Sequence, residues 1–578
     1  MGDSVTIRIN GITKEVQKGV SILSAARENG IKIPTLCFHE DMHGLGNCGI
    51  CVVEIKGKRD LVRACITPVE QNMEIITHSN RINQARRSIL SLILANHPND
   101  CLHCVKNGKC DLQDLAHYFN IKEAMYESIQ VPRPVDNSFY VIRDTNKCIL
   151  CRRCLVACQE IQTVYAIESI DRGFETHIST GSGKMNRSVC TVCGQCISVC
   201  PVAALYEKQD SNSVWEILKS KDRVVIVQEA PAVRVSLAEE FNLPAGTNLA
   251  RKMYSALKML GFDHVFDTNF SADLTIMEEG SELIQRVKKK EPLPLITSCS
   301  PGWINFMEIY FPDLLENVSS CKSPQQMFGS LAKTYFAREY KIDPARIVTV
   351  SIMPCTAKKF EADRPEMNSS GFKDVDYVLT TREFVSMLKE AGIDLPALPD
   401  TSADEFMGAY TGAATIFGAT GGVAEAALRT AYLLISGKEL EQCDIQECRG
   451  MEGIKAFEVK AGDLTVRCAV AHGLGNARKL LDEVSEAKKK GEVPYHFIEI
   501  MSCPGGCVGG GGQPFGSTLK RRLERAKGLY AEDKGMPLRK SHENPMIRKI
   551  YDNFLKEPLS EKSHHLLHTH YHSRDKFA

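Results

Sequence analysis

The sequence lacks several features that would indicate a membrane-spanning, secreted or nucleic-acid-binding protein. Its 578 residues contain no apolar run near the roughly 20 residues that a spanning helix needs. Lysine plus arginine and aspartate plus glutamate both total 71, so no net charge favours nucleic acid or an anionic membrane. The N-terminus has no basic stretch followed by an apolar one, which predicts a cytoplasmic protein.

A nucleotide-binding fingerprint is also missing. Gly473 and Gly475 stand one residue apart, but the third glycine of the dinucleotide motif does not follow them. We therefore expect no nucleotide or flavin site on this chain.

Cysteine is the residue that the sequence has in excess. In a long chain without a secretion signal, 23 cysteines predict metal ligands rather than disulfides. Fifteen of them lie between Cys37 and Cys200, and the next one is Cys299, so the gap marks the main domain boundary. We predict four domains, which cover residues 1–79, 80–125, 126–210 and 211–578.

The first domain is predicted to hold a metal in a small sheet. Residues Val5–Ile9 alternate as a strand, Gly11 forms a turn, and residues 21–28 form a helix. A close cysteine pair with two distant partners suits a [2Fe–2S] cluster of the plant ferredoxin type, although the first spacing is wider than in that type. A zinc site is the alternative. The predicted ligands are Cys37, Cys48, Cys51 and Cys65.

The second domain begins with an apolar helix over residues 82–95 and continues into three cysteines. One histidine directly before a cysteine triplet predicts either a Cys3His zinc site or a [4Fe–4S] cluster with one imidazole ligand. The spacing does not separate these two possibilities. The predicted ligands are His97, Cys101, Cys104 and Cys110.

The third domain carries the spacing of a bacterial ferredoxin with two [4Fe–4S] clusters. Two runs of the form C-x2-C-x2-C-x3-C occur, and the fourth cysteine of each run is expected to bind the cluster of the other run. The first cluster would use Cys148, Cys151, Cys154 and Cys200, and the second would use Cys190, Cys193, Cys196 and Cys158.

The fourth domain reads as alternating strands and helices, and three of its strands end in cysteine-bearing loops. These loops contain Cys299, Cys355 and the pair Cys503 and Cys507. Because ligands in open α/β sheets bind outside the carboxyl ends of strands, we expect the three loops to meet at one site. Lys358 follows Cys355 closely enough to place a positive charge there. A run of four glycines after Cys507 predicts close backbone packing against a metal cluster.

One predicted helix, over residues 274–287, carries Glu279, Glu282 and Arg286 on a single face. By spacing alone, such a row is typical of a solvated charged face. Further along, four cysteines without ligand spacing are expected to be buried small hydrophobic residues. They are Cys321, Cys443, Cys448 and Cys468.

Three motifs together resemble the catalytic subunit of the [FeFe]-hydrogenases. The family signatures have the forms TSCCPxW, MPCxxKxxE and ExMxCxxGCxxGGGQP, and they match Thr297–Trp303, Met353–Glu361 and Glu499–Pro514. The N-terminal cysteine groups resemble the multi-cluster type found in NAD(P)-linked multisubunit hydrogenases. The resemblance implies N-terminal ferredoxin-like Fe–S domains followed by a large α/β domain that binds the H-cluster, a [4Fe–4S] cubane joined to a diiron unit.

The same resemblance assigns roles to individual residues. Cys355, Cys503 and Cys507 would hold the cubane, and Cys507 would bridge to the diiron unit. The cavity around that unit would be lined by Ala230, Pro231, Met353, Lys358, Phe417 and Met501. The proton path would run through Cys299, Glu279, Ser319 and Glu282, with Arg286 at its exit, so the charged row would be functional rather than solvated.

Ser300 departs from the family pattern, which has a cysteine there as the fourth cubane ligand. Either Ser300 binds the cubane, or Cys299 binds it and leaves the proton path, or the cubane is compromised. We predict that Ser300 binds, because its position before Pro301 directs the side chain at the cluster in the family.

The resemblance also implies the reaction and the partners. We expect reversible oxidation of H2 to protons and electrons, with one [2Fe–2S], three accessory [4Fe–4S] clusters and the H-cluster. Electrons would pass to a ferredoxin, to an NAD(P)H-binding flavoprotein subunit or to a small [2Fe–2S] subunit. The alternatives are an H2 sensor with low turnover, the Fe–S subunit of an NADH-linked oxidoreductase, and a non-catalytic Fe–S assembly factor.

Overall fold

The computed structural model describes residues 3–128, 132–462 and 464–576. The chain forms two compact units. The first contains residues 1–160, 165–187 and 199–206, and the second contains residues 161–164, 188–198 and 207–578. Among the described residues, no helix is both long and apolar enough to cross a bilayer.

The first unit begins with a five-stranded sheet. Alternating residues of the first strand are buried, so Val5, Ile7 and Ile9 form the core face, as the sequence pattern predicts. The following helix begins after Ser21, whose side chain accepts a hydrogen bond from the backbone N–H of Ser24. The strands are β1 (Ser4–Ile9), β2 (Ile12–Gln17), β3 (Val52–Ile55), β4 (Val62–Arg63) and β5 (Glu74–Ile76). Their order in the sheet is β2-β1-β5-β3-β4.

Short elements follow the sheet up to the boundary with the second unit. The predicted apolar helix is present and spans Asn80–Ala95. The other helices of at least seven residues here are Ile22–Glu28 and Asp111–Tyr118. The remaining strands are β6 (Val141–Arg143), β7 (Glu168–Ile170), β8 (His177–Ser179) and β9 (Leu205–Glu207), the last of which ends at the boundary.

The second unit contains two four-stranded sheets. In the first, all neighbours are parallel and the order is β11-β10-β13-β14. In the second, the order is β12-β17-β16-β15, and only β15 and β16 are antiparallel. The strands are β10 (Val224–Glu229), β11 (His264–Asp267), β12 (Leu295–Ile296), β13 (Ile347–Met353), β14 (Tyr377–Thr380), β15 (Ile454–Ala461), β16 (Leu464–His472) and β17 (Phe497–Met501).

Helices cover both sheets of the second unit, as expected for an α/β domain. The one that carries the charged row spans Thr268–Lys289 and starts six residues earlier than the sequence pattern predicts, because Asp267 caps it through the backbone N–H of Asn269. The others of at least six residues are Ser211–Leu218, Ala250–Leu260, Pro301–Tyr310, Pro324–Leu331, Ala357–Ala362, Thr381–Glu390, Gly422–Ser436, Leu474–Lys489, Leu519–Gly535, Pro545–Ile550 and Glu561–Leu567.

The C-terminal segment packs into the second unit. Ile547, Ile550 and Leu567 are buried in one apolar cluster with Phe266 and Phe328. The segment also adds a backbone bridge between His568 and Cys321. The segment therefore forms part of the core of the second unit. Of the four cysteines predicted to be buried, three are, while Cys443 is only partly buried.

Candidate active site

Three cysteine-bearing loops meet at one cavity in the second unit. Cys299 and Ser300 follow β12, Cys355 follows β13, and the pair Cys503 and Cys507 follows β17. All five residues line the cavity. The strands belong to two sheets rather than to one open sheet, since β12 and β17 are neighbours while β13 lies in the other sheet.

The cavity has a mostly apolar wall. About 740 Å³ of space, part of it open to solvent, lies between its walls. The six residues that the resemblance assigns to the cofactor wall all line it, namely Ala230, Pro231, Met353, Lys358, Phe417 and Met501.

The thiols in the cavity fit an iron–sulfur cluster. Burial raises the pKa of Cys503, and the thiols of Cys355, Cys193 and Cys507 raise it further. Burial and the Cys355 thiol likewise raise the pKa of Cys507 to about 12. Thiols packed this closely would repel one another as thiolates, and an iron cluster supplies the positive charge that stabilises them.

Two buried amides add polar atoms to the same wall. Asn269 Oδ1 and Gln325 Oε1 have no hydrogen-bond partner within the described parts of the chain, and both residues line the cavity. Unpartnered buried polar atoms are uncommon and point to a bound group. Sequence reasoning missed Asn269, whose only signal is its place after the helix-capping Asp267.

The glycines around Cys507 have two different uses. Gly505 and Gly506 have φ angles of +81° and +89°, in the left-handed region that glycine favours, and they form the turn between the two cysteines. In the following run, a Cβ on Gly510 would lie 2.1 Å from Pro354 O, and one on Gly511 would lie 2.4 Å from Cys193 O. The run therefore serves close backbone packing.

Lys358 is buried at the cavity wall and is held there by two bonds. Its Nζ donates to Cys299 O at 3.1 Å and to Glu361 Oε2 at 2.9 Å. An ammonium group has three donors, so the third remains for an anionic ligand in the cavity.

Cys299 and Ser300 face different surroundings. Ser300 Oγ accepts a hydrogen bond from the backbone N–H of Ser502 at 3.1 Å, which places it next to Cys503. The Cys299 thiol lies near Glu279: burial raises its pKa, and the Glu279 charge raises it further. Ser300 is thus on the side of Cys503, and Cys299 is on the side of the charged row.

The charged row is buried, so its interpretation as a solvated face is wrong. Glu279, Glu282 and Arg286 are 1%, 6% and 8% exposed. Burial, with the charge of Glu282 as the next cause, raises the pKa of Glu279 to about 8. Ser319 Oγ donates to Glu282 Oε2 at 2.8 Å, and Arg286 Nη2 donates to Glu282 Oε1 at 2.7 Å.

Three residues of the second ferredoxin-type run, Val192, Cys193 and Gln195, contact the loops next to the cavity. Cys503 Sγ lies 4.0 Å from Cys193 O. Thr356 Oγ1 donates to Val192 O at 2.6 Å, and Gln195 Nε2 donates to Gly509 O at 3.0 Å. Cys190, Cys193 and Cys196 all lie in the second unit, whereas Cys158 lies in the first. Their common cluster therefore stays a prediction.

In the first unit, the four cysteines of the first domain lie together. The Cys37 thiol is hydrogen-bonded to the thiols of Cys48 and Cys65, which lower its pKa, and Cys51 is hydrogen-bonded to Cys65. This arrangement is compatible with a [2Fe–2S] cluster or with zinc.

The histidine of the second group is available as a ligand. His97 Nδ1 is buried and has no hydrogen-bond partner in the described chain. Burial, followed by the charge of Lys147, lowers the pKa of His97, so the imidazole is neutral at pH 7. A neutral ring is the form that binds metal.

The four cysteines predicted to bind the first ferredoxin-type cluster line one cavity. Burial raises the pKa of Cys148 to about 12. The cavity contains about 410 Å³ of empty space, and its wall includes the four predicted ligands Cys148, Cys151, Cys154 and Cys200. The predicted exchange of the fourth cysteine is compatible with this geometry.

Models of known families match five segments of the chain. The iron-only hydrogenase large subunit, C-terminal domain, matches residues 223–511, and the iron hydrogenase small subunit matches residues 519–574. A 2Fe-2S iron-sulfur cluster binding domain matches residues 2–80. The NADH-ubiquinone oxidoreductase-G iron-sulfur binding region matches residues 86–124, and a 4Fe-4S dicluster domain matches residues 147–204. Sequence reasoning missed the small-subunit segment.

Similar proteins cover the whole chain. The NADP-reducing hydrogenase subunit HndD of Solidesulfovibrio fructosivorans is 49% identical and aligns with 99% of both chains. Iron hydrogenase 1 of Clostridium pasteurianum is 41% identical over 98% of this chain and 99% of its own. A solved structure of the [FeFe]-hydrogenase HydA1 from Chlamydomonas reinhardtii is 43% identical, with a TM-score of 0.57, over 63% of this chain and 99% of that chain.

The accessory domains carry iron–sulfur clusters of the 2Fe-2S and 4Fe-4S types, and the large domain carries the active site. With the hydrogenase model matching residues 223–511 and relatives aligning end to end, the chain belongs to the [FeFe]-hydrogenase family and catalyses the oxidation of H2 at an H-cluster.

Proposed function

We propose that this chain is the hydrogen-activating subunit of an NAD(P)-linked hydrogenase. The observation that carries the proposal is the cavity that collects four thiols and the Ser300 hydroxyl from three loops. Cys355, Cys503, Cys507 and Ser300 would hold the cubane, and Cys507 would also hold the diiron unit. When bound, this group supplies an open iron site and a neighbouring amine base for the polarisation of H2.

The chain's own residues form the proton route. At neutral pH, Glu279 is protonated because its pKa is raised to about 8. Its O–H can donate to Ser319, whose hydroxyl donates in turn to Glu282. This direction of donation carries a proton from Glu279 to Glu282, away from Cys299.

Ser300 is the fourth ligand of the cubane in this proposal. Its hydroxyl lies beside Cys503 and already accepts a bond from the Ser502 backbone. Cys299 then stays free to exchange a proton with Glu279. A serine alkoxide is a harder ligand than a thiolate, so we expect a lower cluster potential than with cysteine.

Electrons take a different route, through the accessory clusters. We propose one [2Fe–2S] cluster, three accessory [4Fe–4S] clusters and the H-cluster. The loop of Cys193 packs directly on the cubane ligands, which makes its cluster the last donor or acceptor before the cavity. Zinc in place of the iron of the His97 group would contradict this inventory, and iron analysis with electron paramagnetic resonance tests it.

The partner is a separate NAD(P)H-binding flavoprotein subunit, with a small [2Fe–2S] subunit or a ferredoxin as intermediary. Support comes from the similarity to a subunit named NADP-reducing and from the sequence, which lacks a nucleotide fingerprint. In the structure, Gly475 instead serves packing, because its Cβ would lie 2.5 Å from Ile161 O. The proposal places the enzyme in the cytoplasm, where NAD(P)H is available.

The test compares two matched substitutions in maturated protein. Cys503→Ala should abolish the CO and CN⁻ infrared bands and the evolution of H2 from reduced dye. Cys468→Ala, at a cysteine that is also buried but lies outside the cavity, should retain both. The isolated chain should oxidise H2 with dye but not with NAD⁺. Unchanged bands in Cys503→Ala would contradict the site, and steady NAD⁺ reduction by the chain alone would contradict the partner.

A further inference from the structure

The proton route described above ends at Glu282, and Arg286 cannot continue it. All five N–H donors of Arg286 are engaged. Two bind Glu282 Oε1, and the other three bind the backbone oxygens of Pro292, Glu316 and Val318. A guanidinium does not release its proton near neutral pH. Arg286 therefore holds Glu282 in place, and another group must take the proton.

The C-terminal segment lies on the other side of Glu282. One ring nitrogen of His568, the Cys321 Sγ and a Glu282 oxygen all lie within 4.8 Å of one another, and all three residues are buried. Two backbone bonds fix the segment here: Thr569 N donates to Ser320 O at 2.7 Å, and Lys322 N donates to Leu567 O at 2.8 Å.

The contacts of His568 leave one ring nitrogen able to accept a proton. Nε2 lies 3.1 Å from the Glu278 carboxylate and Nδ1 lies 2.8 Å from Ser320 Oγ. With Nε2–H donating to the carboxylate, Nδ1 accepts the Ser320 hydroxyl proton. Protonation at Nδ1 then gives an imidazolium held against Glu278.

The Glu278 carboxylate is ionised and is placed to pair with that imidazolium. Burial alone would raise its pKa, but hydrogen bonds from His568, Ser563 and Tyr551 outweigh this and hold the pKa below its ordinary value. The carboxylate also accepts a bond from Leu559 N at 2.9 Å. An imidazolium at this position would therefore pair directly with the Glu278 carboxylate, which lies 3.1 Å from Nε2.

We propose that His568 takes the proton that reaches Glu282 and releases it at the surface, beside the exposed His564. The His564 ring stacks on His568 at 4.6 Å with an interplanar angle of 3°, and His564 is exposed. The C-terminal segment thereby supplies the outer end of the proton route. This inference rests on the proposed function, because it extends the route from Glu279 to Glu282.

Several other titratable groups face His568 and would contribute to the pH dependence of activity. They are Glu278 and Glu282 from the long helix, Cys321 from the adjoining loop, and His564 from the same segment as His568. Burial, then the charge of Glu282, raises the pKa of Cys321 well above its ordinary value, so this thiol stays neutral across the working range.

The test uses His568→Gln in the maturated full chain, with His565→Gln as the matched control at an exposed neighbour. We expect H2 evolution in His568→Gln to fall about a hundredfold, the lower end of what a positioned acid–base group contributes. The infrared bands should persist, and imidazole should restore part of the activity of His568→Ala. His565→Gln should match the wild type.

Activity of His568→Gln within about twofold of the wild type would overturn the inference. If His568→Gln loses its infrared bands, the surface substitution His564→Gln decides: a lowered rate that rises with buffer concentration supports the route, and an unchanged rate overturns it. A wild-type chain with no H2 evolution would instead contradict the proposed function.

Discussion

The packing of Gly511 gives a prediction whose size follows from the structure. A Cβ at this position would lie 2.4 Å from Cys193 O and 2.6 Å from the Cα of Gly194. Ordinary carbon contacts need roughly 3.5 Å, so the loop of Cys193 must move by about 1 Å. Overpacking of this kind costs about 1–3 kcal/mol. Gly511→Ala should therefore destabilise the contact between an accessory-cluster loop and the active site.

The matched control is Gly535→Ala. This glycine ends the helix Leu519–Gly535, has no atom within 4 Å of its added Cβ, and has no positive φ. Such a change is expected to stabilise by up to about 1 kcal/mol, because alanine has less conformational freedom in the unfolded chain.

The assay has two measurements for each variant. The first is the denaturant concentration at which maturated protein loses its CO and CN⁻ infrared bands, and it should fall for Gly511→Ala and hold or rise for Gly535→Ala. The second is H2 evolution with electrons supplied by a ferredoxin, which should fall for Gly511→Ala more than evolution with a small dye does. If both measurements match the wild type in Gly511→Ala, the reasoning from this contact is refuted.

Three further predictions concern the ligands, a buried histidine and a buried arginine. Cys299→Ala should remove most turnover but keep the infrared bands and cubane signal, whereas Ser300→Ala should lose the cubane; the reverse pattern would show that Cys299 is the ligand. Burial holds the pKa of His472 at about 4, below its ordinary 6.5. Above pH 6.5 the ring is neutral in both the folded and the unfolded protein, so its contribution to the free energy of unfolding is fully present. As the pH falls towards 4, the ring becomes protonated only in the unfolded protein, and this contribution is lost. Wild type should thus lose about 3 kcal/mol more than His472→Gln over that interval, and equal losses would contradict this. Arg234→Met leaves two buried carboxylates unpaired and should cost about 3–5 kcal/mol, while the exposed Arg223→Met should cost little; equal denaturation midpoints would refute the pairing.

The sequence predicted the parts of the fold that depend on the pattern of apolar residues close together in the chain. The first strand, the helix over Asn80–Ala95 and the strands before the three cysteine loops appear where apolar periodicity places them. Cysteine spacing predicts proximity for a similar reason. Ligands a few residues apart share one loop, so Cys148, Cys151 and Cys154 must lie close together however the rest of the chain folds.

The parts that the sequence did not predict depend on distant segments. No local pattern shows that β12 and β13 belong to different sheets, because that depends on which strands pair. The contact between Ser320 and His568 joins positions 248 residues apart. The sequence does not distinguish one histidine of the C-terminal segment from another. The way in which the segment packs is what buries His568 and leaves His565 exposed.

The charged row shows why an active site can contradict a sound rule about sequence. Charges three and seven residues apart usually face water, since burying a carboxylate without a partner is costly. Here the cost is offset locally: Arg286 and Ser319 bind Glu282, and Glu279 avoids the charge by staying protonated up to about pH 8. A proton route through buried side chains needs such groups, because water that entered the cavity would carry protons in place of the side chains. Buried acids that a helical pattern assigns to the surface are therefore a sign of function when their partners also come from distant segments, as Ser319 and His568 do.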